Sequence, residues 1–409
     1  MIVKPRSMIR RVALVSEHAS PFATLGGPDG GGQNVYMAGL ARELGRRGID
    51  VTVYTRRHDP NLPARVDFAP GVAIEYVDVG GSMEISKDAL LPHMRAFGAW
   101  LRSRWRVNRP DVVHAHYWMS GLASLEGIAG LQTPFIQTFH ALGVVKRRFL
   151  RSLDSSPPER IPAERRLAHF ADAVVATSTD EANELMRMEI PAGRIRIVPC
   201  GVDTRVFTPY GPTEQRTSGL KRIVMVGRLV RRKGIDEVIQ ALAMLPMVQL
   251  VIVGGKPTSD SDADRLRTLA SRLGVEGRVE FRGPLNNCDI PDVLRSADLV
   301  VCFPWYEPFG IVAIEAMACG RPLLVSAVGG LRETVLSGRN GVFVAARDFK
   351  GMADAADRLL RDKARCLQMG QEGRRRAVSE YDWRCIVDRM IEVYETACID
   401  PNRRGRLAS

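Results

Sequence analysis

The chain has 409 residues, 45% of them hydrophobic and 25% charged, with a formal net charge of +12 and seven cysteines. That length is too great for one ordinary core, so two domains are expected, and the composition is that of a folded globular protein. No run of about 18 uninterrupted apolar residues is present, which excludes a helix crossing a membrane.

The N-terminus lacks the apolar run of a signal peptide, and the expected location is the cytoplasm. The cysteines are scattered, with no CxxC pair and no zinc spacing; Cys302 and Cys319 sit among apolar neighbours and are expected to be buried thiols of a reducing compartment. Excess positive charge suits anionic partners such as nucleotide sugars, acidic lipids or nucleic acid. Only 6% of residues are aromatic and none form a base-stacking stripe, which argues against nucleic acid. The run Arg374-Arg375-Arg376 is expected on a solvated helix surface.

In chain order the pattern is strand, loop, helix, repeated. Residues 12–15 predict a short buried strand, followed by a Gly/Pro loop over 19–32 and a helix with Val35, Leu40, Ala41 and Leu44 on its apolar face. Further strands are predicted at 51–54, 112–115, 135–138, 173–176 and 195–198. Such alternation argues for a parallel sheet covered on both faces. Residues 206–219, rich in Pro, Thr, Gly and Ser and without periodicity, predict a linker. The alternation restarts at 222–226, with strands near 249–253, 278–281, 299–302 and 322–325. The expected fold is α/β: a doubly wound, Rossmann-like domain over 1–205, a second over 206–382, and a final helix within 383–409. Doubly wound sheets bind ligands at their carboxyl ends, so two such domains facing each other would place a cleft there.

The most informative stretch is 307–320. A Glu-Pro-Phe-Gly turn leads into a helix with Ile311, Ile314, Glu315 and Ala318 at helical spacing, which allows Glu307 and Glu315 to face one crevice. The N–H groups of Gly310, Ile311 and Val312 fall at the helix N-terminus, where unpaired donors and the dipole favour an anion. A diphosphate there, flanked by carboxylates that hold hydroxyls, describes a nucleotide-sugar site. Arg228 and Lys233 follow a strand and precede a helix marked by Ile235, Val238, Ile239 and Leu242, so their loop opens at a carboxyl sheet edge. Two cations at that edge would stabilise charge developing on a departing diphosphate. Gly30, Gly31 and Gly32 precede a helix and would let backbone N–H groups approach a phosphate. His114 and His116 superficially suggest a metal site, but no third ligand is evident and no metal is expected.

The spacing of Glu307 and Glu315 resembles the paired-glutamate motif of the retaining family 4 glycosyltransferases, which have the GT-B fold. Gly-Gly-Gly-Gln-Asn-Val-Tyr at 30–36, His-Ala-His-Tyr-Trp-Met-Ser-Gly at 114–121, Gly-Arg-Leu from Gly227 and Lys233-Gly234 follow in that family's order. The match runs from about residue 10 to about residue 345, nearest the D-inositol-3-phosphate glycosyltransferase and sucrose-phosphate synthase branches. The resemblance implies that Glu315 holds the ribose and Glu307 the sugar hydroxyls, with Arg228 and Lys233 on the leaving diphosphate. Gly32, Phe309, Gly310, Ile311 and Val312 would border the donor, and His140 would point at the donor sugar. Asn34, Lys87, Tyr117 and Arg160 would grip the acceptor, with Ala141 standing where the inositol-phosphate branch has a Thr. The last helix, 383–398, resembles the segment that crosses back onto the first domain.

The implied activity is hexosyl transfer from a nucleotide sugar, UDP-linked by resemblance, to a small polar acceptor, with no metal or other cofactor. Three alternatives were weighed. A GDP-mannose-dependent transferase would work on a lipid-linked or polysaccharide acceptor at the membrane surface. In that case the basic amphipathic stretch 144–150 would make a peripheral membrane contact. A non-catalytic anion-binding protein would need only the charge. A Rossmann dehydrogenase conflicts with Thr55-Arg56-Arg57 at the end of the second strand, where an acidic residue is required. A homodimer is compatible with the sequence, which does not determine the oligomeric state.

Overall fold

The computed structural model describes residues 9–20, 31–83, 85–255 and 261–399. Gly30, most of the loop predicted over 19–32 and the end of the 383–409 segment lie outside those residues. By contacts the chain divides into two units. The first comprises residues 1–21, 35–199 and 386–409, and the second 22–34 and 200–385.

The first unit is built on an eight-stranded sheet. Its strands are β1 (Arg11–Val15), β2 (Asp50–Arg56), β3 (Arg65–Ala69), β4 (Val72–Val77), β5 (Val112–His116), β6 (Phe135–Thr138), β7 (Ala173–Ala176) and β8 (Ile195–Ile197). The order is β3-β4-β2-β1-β5-β6-β7-β8, parallel except for the edge strand β3, which runs antiparallel to β4. Strands β5, β6 and β7 are buried along their whole length; β7 is apolar throughout, whereas β5 and β6 also bury His114, His116, Gln137 and Thr138. β1 pairs with β2 on one side and β5 on the other, so the loops leaving β1 and β5 diverge at a switch point.

Neither β3 nor β4 is among the predicted strands. β4 is wholly buried but carries Glu75 in its middle. That carboxylate accepts from Arg65 at 2.7 Å and from Arg104, whose Nε and Nη2 donate at 3.0 and 2.7 Å. The helix Gly32–Arg46 also differs in detail from the expected apolar face: Val35 is half-buried, whereas Tyr36 and Met37 are fully inside.

The second unit has six parallel strands: β9 (Lys221–Val226), β10 (Val248–Val253), β11 (Val279–Gly283), β12 (Leu299–Cys302), β13 (Leu323–Ser326) and β14 (Gly341–Val344). Their order is β11-β10-β9-β12-β13-β14. Here the switch point lies between β9 and β12. The core packs Ile223, Leu250 and Val301 against Ile235, Val238, Ile239 and Leu242 of the helix Ile235–Leu242.

The 206–219 segment has no helix or strand, as expected of a linker, yet it is fastened down within the second unit. Phe207 is buried. Arg295 donates to the carbonyls of Pro212 and Thr208 at 2.6 and 3.2 Å, and Arg374 to those of Phe207 and Thr204 at 2.8 and 3.0 Å. The Arg374 run is therefore only partly a solvated surface. Arg374 and Arg376 are half-buried and capping carbonyls, and Arg375 alone of the three is exposed. Replacing Arg374 by alanine strands three carbonyl partners and should lower stability by about 2 kcal/mol, read as a drop in thermal midpoint.

The final helix spans Trp383–Ile399, and from Ile386 onward it belongs to the first unit, where Tyr394 bonds His114 Nδ1 at 2.8 Å. Among the described residues no helix is long and apolar enough to cross a membrane.

Candidate active site

In the second unit the predicted donor residues converge at the carboxyl ends of β9 and β12. β9 runs into Gly227 and Arg228, then into a 3-10 turn over Arg231–Lys233, and Gly234 starts the next helix. Gly234 has φ 71° and lies against the Phe303 carbonyl, where a Cβ would clash with backbone. Gly234→Ala should cost at least about 2 kcal/mol and displace Lys233, lowering both the thermal midpoint and turnover.

The loop after β12 is tied to this turn. Trp305 N donates to the Arg232 carbonyl at 2.8 Å, and Trp305 Nε1 donates to Glu237 at 2.8 Å. Glu307 is held from the other side, its carbonyl accepting from Gly330 N at 3.1 Å. These anchors bring Lys233 Nζ to 2.5 Å from Glu307 Oε2, with Arg232 Nη1 at 3.9 Å from the same oxygen. Burial raises the Glu307 carboxyl, but Lys233, Arg232 and Arg228 together outweigh it, and its pKa lies below the usual carboxylate range. Burial lowers the Lys233 ammonium, helped by repulsion from Arg232 and Arg228 and opposed by Glu307. The resting site is thus a crowded cationic loop around one carboxylate.

Gly310 has φ 93° and caps the helix Ile311–Ala318. Among the described residues, the N–H groups of Gly310, Ile311 and Val312 make no hydrogen bond outside that helix. One turn further in, Glu315 is 4% exposed, and burial pushes its pKa up to about 8. No described residue donates to its carboxylate. Both glutamates act electrostatically on Cys302, whose thiol burial raises to about 12, so they do share one locality. Cys302 is half-buried rather than an inert core thiol; Cys319 is fully inside, as expected. Gly32, which groups with this unit, lies beside the same helix end: a Cβ on it would stand 3.1 Å from Ile311 Cδ1. The Phe309 ring is buried, with its centroid 6.0 Å from that of Tyr381, which leaves its backbone to border a donor.

In the first unit the predicted acceptor residues Lys87 and Arg160 gather around Tyr117. Tyr117 (φ 80°) follows β5 and caps the helix Trp118–Gly127. Lys87 Nζ stands 4.3 Å and the Arg160 guanidinium 5.1 Å from its ring centroid. Arg160, however, is 1% exposed and committed to the protein. It donates to Glu164 at 2.8 Å, to Ser156 at 3.1 Å and to the Ala141 carbonyl at 2.5 Å, while Glu164 also accepts from Gly143 N at 2.8 Å. Arg160 therefore fixes the loop after β6. Asn34, which groups with the second unit, is likewise engaged, its side-chain oxygen accepting from Gly31 N at 2.9 Å.

His140 ends that same loop with φ 61°, a strained conformation for a residue with a side chain. Its ring stacks on His116 with Nε2 3.0 Å from His116 Nδ1, and burial drives its pKa down to about 3, so it is neutral at physiological pH. His114 is taken up by Tyr394 and Thr138, each at 2.8 Å. Among the described residues no cluster of His, Cys, Asp or Glu is arranged to hold a metal ion.

The basic stretch 144–150 falls in the helix Gly143–Leu150. Lys146 is bonded to Asp154 at 2.9 Å and Arg148 to Glu184 at 2.7 Å, so two of its cations are neutralised within the unit. Arg232 was not among the site residues expected from the sequence, yet it stands 3.9 Å from Glu307; its signal was the basic run Arg231-Arg232-Lys233 after β9.

Two α/β units with a cationic loop at the carboxyl edge of one sheet have the architecture of a glycosyltransferase. Two family models match: Glycosyltransferase Family 4 over residues 30–206 and Glycosyl transferases group 1 over 212–376. A D-inositol 3-phosphate glycosyltransferase of Xylanimonas cellulosilytica is 36% identical over 405 residues, covering 95% of this chain and 97% of that protein. One of Mycobacterium marinum is 35% identical over 411 residues, covering 96% and 87%. Among solved structures, sucrose-phosphate synthase from Thermosynechococcus elongatus superposes with a TM-score of 0.88 at 32% identity, over 94% of this chain and 98% of that one. Anabaena HepE shares the fold alone, with a TM-score of 0.73 at 19% identity over 93% and 98%. The chain belongs to the family 4 glycosyltransferases, retaining enzymes of GT-B fold.

Proposed function

We propose that the enzyme transfers a hexosyl group, N-acetylglucosaminyl or glucosyl, from a UDP-sugar to a hydroxyl of a small polar acceptor, of the cyclitol, inositol phosphate or sugar phosphate class. The observation that carries this reading is the cationic loop Arg228 to Lys233 closing on Glu307 beside the open N-terminus of the Ile311–Ala318 helix. The names of the relatives, D-inositol 3-phosphate glycosyltransferase and sucrose-phosphate synthase, support the acceptor class.

In this reading the diphosphate takes the helix N-terminus and the Arg228–Lys233 loop. Lys233 turns from Glu307 to the phosphate, which frees Glu307 for sugar hydroxyls, and Glu315 accepts from the ribose. The acceptor hydroxyl attacks the anomeric carbon from the side of the leaving group. A new C–O bond forms as the bond to the phosphate oxygen breaks, and the hydroxyl proton passes to that departing oxygen. No carboxylate is required as a nucleophile, and configuration is retained. His140, held neutral, borders the sugar as a hydrogen-bonding group. Lys87, with the loop fixed by Arg160, receives the acceptor.

The test is incubation with UDP-N-acetylglucosamine or UDP-glucose and a panel of inositol phosphates, hexose phosphates and free polyols. Glycosylated product with UDP release is expected. The absence of both transfer and donor hydrolysis across the panel overturns the proposal, and turnover of GDP-mannose alone replaces the donor.

A further inference from the structure

The transfer chemistry does not use the His-Ala-His run that ends β5. His114 and His116 stand two positions apart on that strand and so share a face of the sheet, with ring centroids 4.1 Å apart. The loop after β6 brings His140 alongside, its ring stacked on that of His116 at 5.2 Å, so three imidazoles form one row within the first unit. The far end of the row is braced: His114 Nδ1 meets the Tyr394 hydroxyl and Nε2 the Thr138 hydroxyl, each at 2.8 Å. His116, in the middle, is fully buried and out of reach of any ligand, and its Nδ1 lies 3.0 Å from His140 Nε2. His140, at the near end, is half-buried. Its Nε2 is committed to His116, and among the described residues its Nδ1 makes no hydrogen bond. Tyr36 packs on both rings, 5.6 Å from His116 and 5.0 Å from His140. Burial keeps all three imidazoles neutral at physiological pH, so in the His116–His140 bond one ring supplies the N–H and the other the lone pair. Whichever way that bond runs, Nδ1 is the ring nitrogen of His140 left for a substrate. The φ of 61° at His140 fits the same picture, because a strained backbone persists only where its surroundings hold it.

We propose that His116 is a positioning residue for the transfer: its hydrogen bond and stack hold the His140 ring so that Nδ1 is the atom presented to the donor sugar. The inference rests on the proposed function, in which His140 borders that sugar. A His140 ring released from His116 can flip about its Cβ–Cγ bond, which puts a carbon where Nδ1 stood and loses the hydrogen bond without emptying the site. Asparagine can place an amide group where His116 Nδ1 stands, whereas leucine fills the space and cannot bond. Initial rates with UDP-N-acetylglucosamine and D-inositol 3-phosphate are compared for the wild type, His116→Asn and His116→Leu, with UDP affinity by calorimetry and the thermal midpoint of each. His116→Leu should lower kcat about tenfold or more while UDP, which carries no sugar, binds as in the wild type. His116→Asn should recover most of that loss. Equal rates in the wild type and His116→Leu overturn the inference, as does a His116→Asn as slow as His116→Leu at an unchanged thermal midpoint. A second measurement needs no variant. In protein with isotope-labelled histidine, nitrogen NMR during titration with UDP-N-acetylglucosamine should show the Nδ1 resonance of His140 moving and Nε2 staying in place, whereas UDP alone should move neither. A shift carried by Nε2 overturns the inference. A donor that binds with the Nδ1 shift but is transferred to no acceptor contradicts the proposed function and leaves the inference standing.

Discussion

Lys233→Ala and Arg228→Ala are each expected to lower kcat by about 10²- to 10³-fold, with UDP-sugar KM changing far less. Charge on the diphosphate grows as the glycosyl bond breaks, so fixed cations contribute more in the transition state than in the bound substrate. For Lys233 a second effect must be separated. Removing it takes away the closest cation of the buried Glu307, leaving Arg232 at 3.9 Å and the weaker influence of Arg228, which costs stability on its own account. The double variant Lys233→Met/Glu307→Gln removes both charges and should regain thermal stability without regaining activity. Restored turnover in that double variant would place the effect in folding rather than in catalysis. Arg228 is exposed and acts on Glu307 more weakly than Lys233 does, so its removal disturbs that carboxylate less.

Glu315→Gln should act on two observables with opposite signs. Burial holds the Glu315 carboxyl protonated in the folded protein up to about pH 8, whereas in the unfolded chain it ionises near its ordinary value. Between those limits the folded state carries the extra proton, so this group's contribution to stability is full at low pH and is lost as pH rises through about 8. Glu315→Gln has no such proton and should be the more stable protein at pH 9, by about 2–4 kcal/mol. Nucleotide binding should respond the other way. Ribose hydroxyls favour the carboxylate, so UDP binding at pH 7.5 should expel close to one proton from the wild type and almost none from Glu315→Gln, with affinity about tenfold weaker in the variant. Calorimetry in buffers of different ionisation enthalpy reads that proton count; equal counts in the two proteins would show that Glu315 does not meet the nucleotide.

The sequence made the sheets legible where strands begin on or consist of short apolar runs, as in β5, β6, β7 and β12. It concealed β4, whose Glu75 breaks the apolar run and is tolerated only through Arg65 and Arg104 from other elements. Local motifs pointed to Arg228, Lys233, Glu307 and Glu315, whose charges act on one another or on Cys302 in the second unit. Motifs could not show that Lys233 and Glu307, 74 positions apart, are paired at rest, nor that Arg160 is committed to Glu164. The hydrogen bond between Ser120 and Glu17 spans 103 positions and has no local signature at all. Long-range pairing decides which charges remain available to a ligand, and that information is in the fold rather than in the spacing.

The most direct measurement is a proton NMR time course of UDP-N-acetylglucosamine with D-inositol 3-phosphate in the presence of the enzyme. The expected result is an α-linked glycoside that appears in step with UDP and falls to near background with Lys233→Ala. A β-linked product, or an α-linked product formed equally well without Lys233, would contradict a retaining transfer driven by the cationic loop.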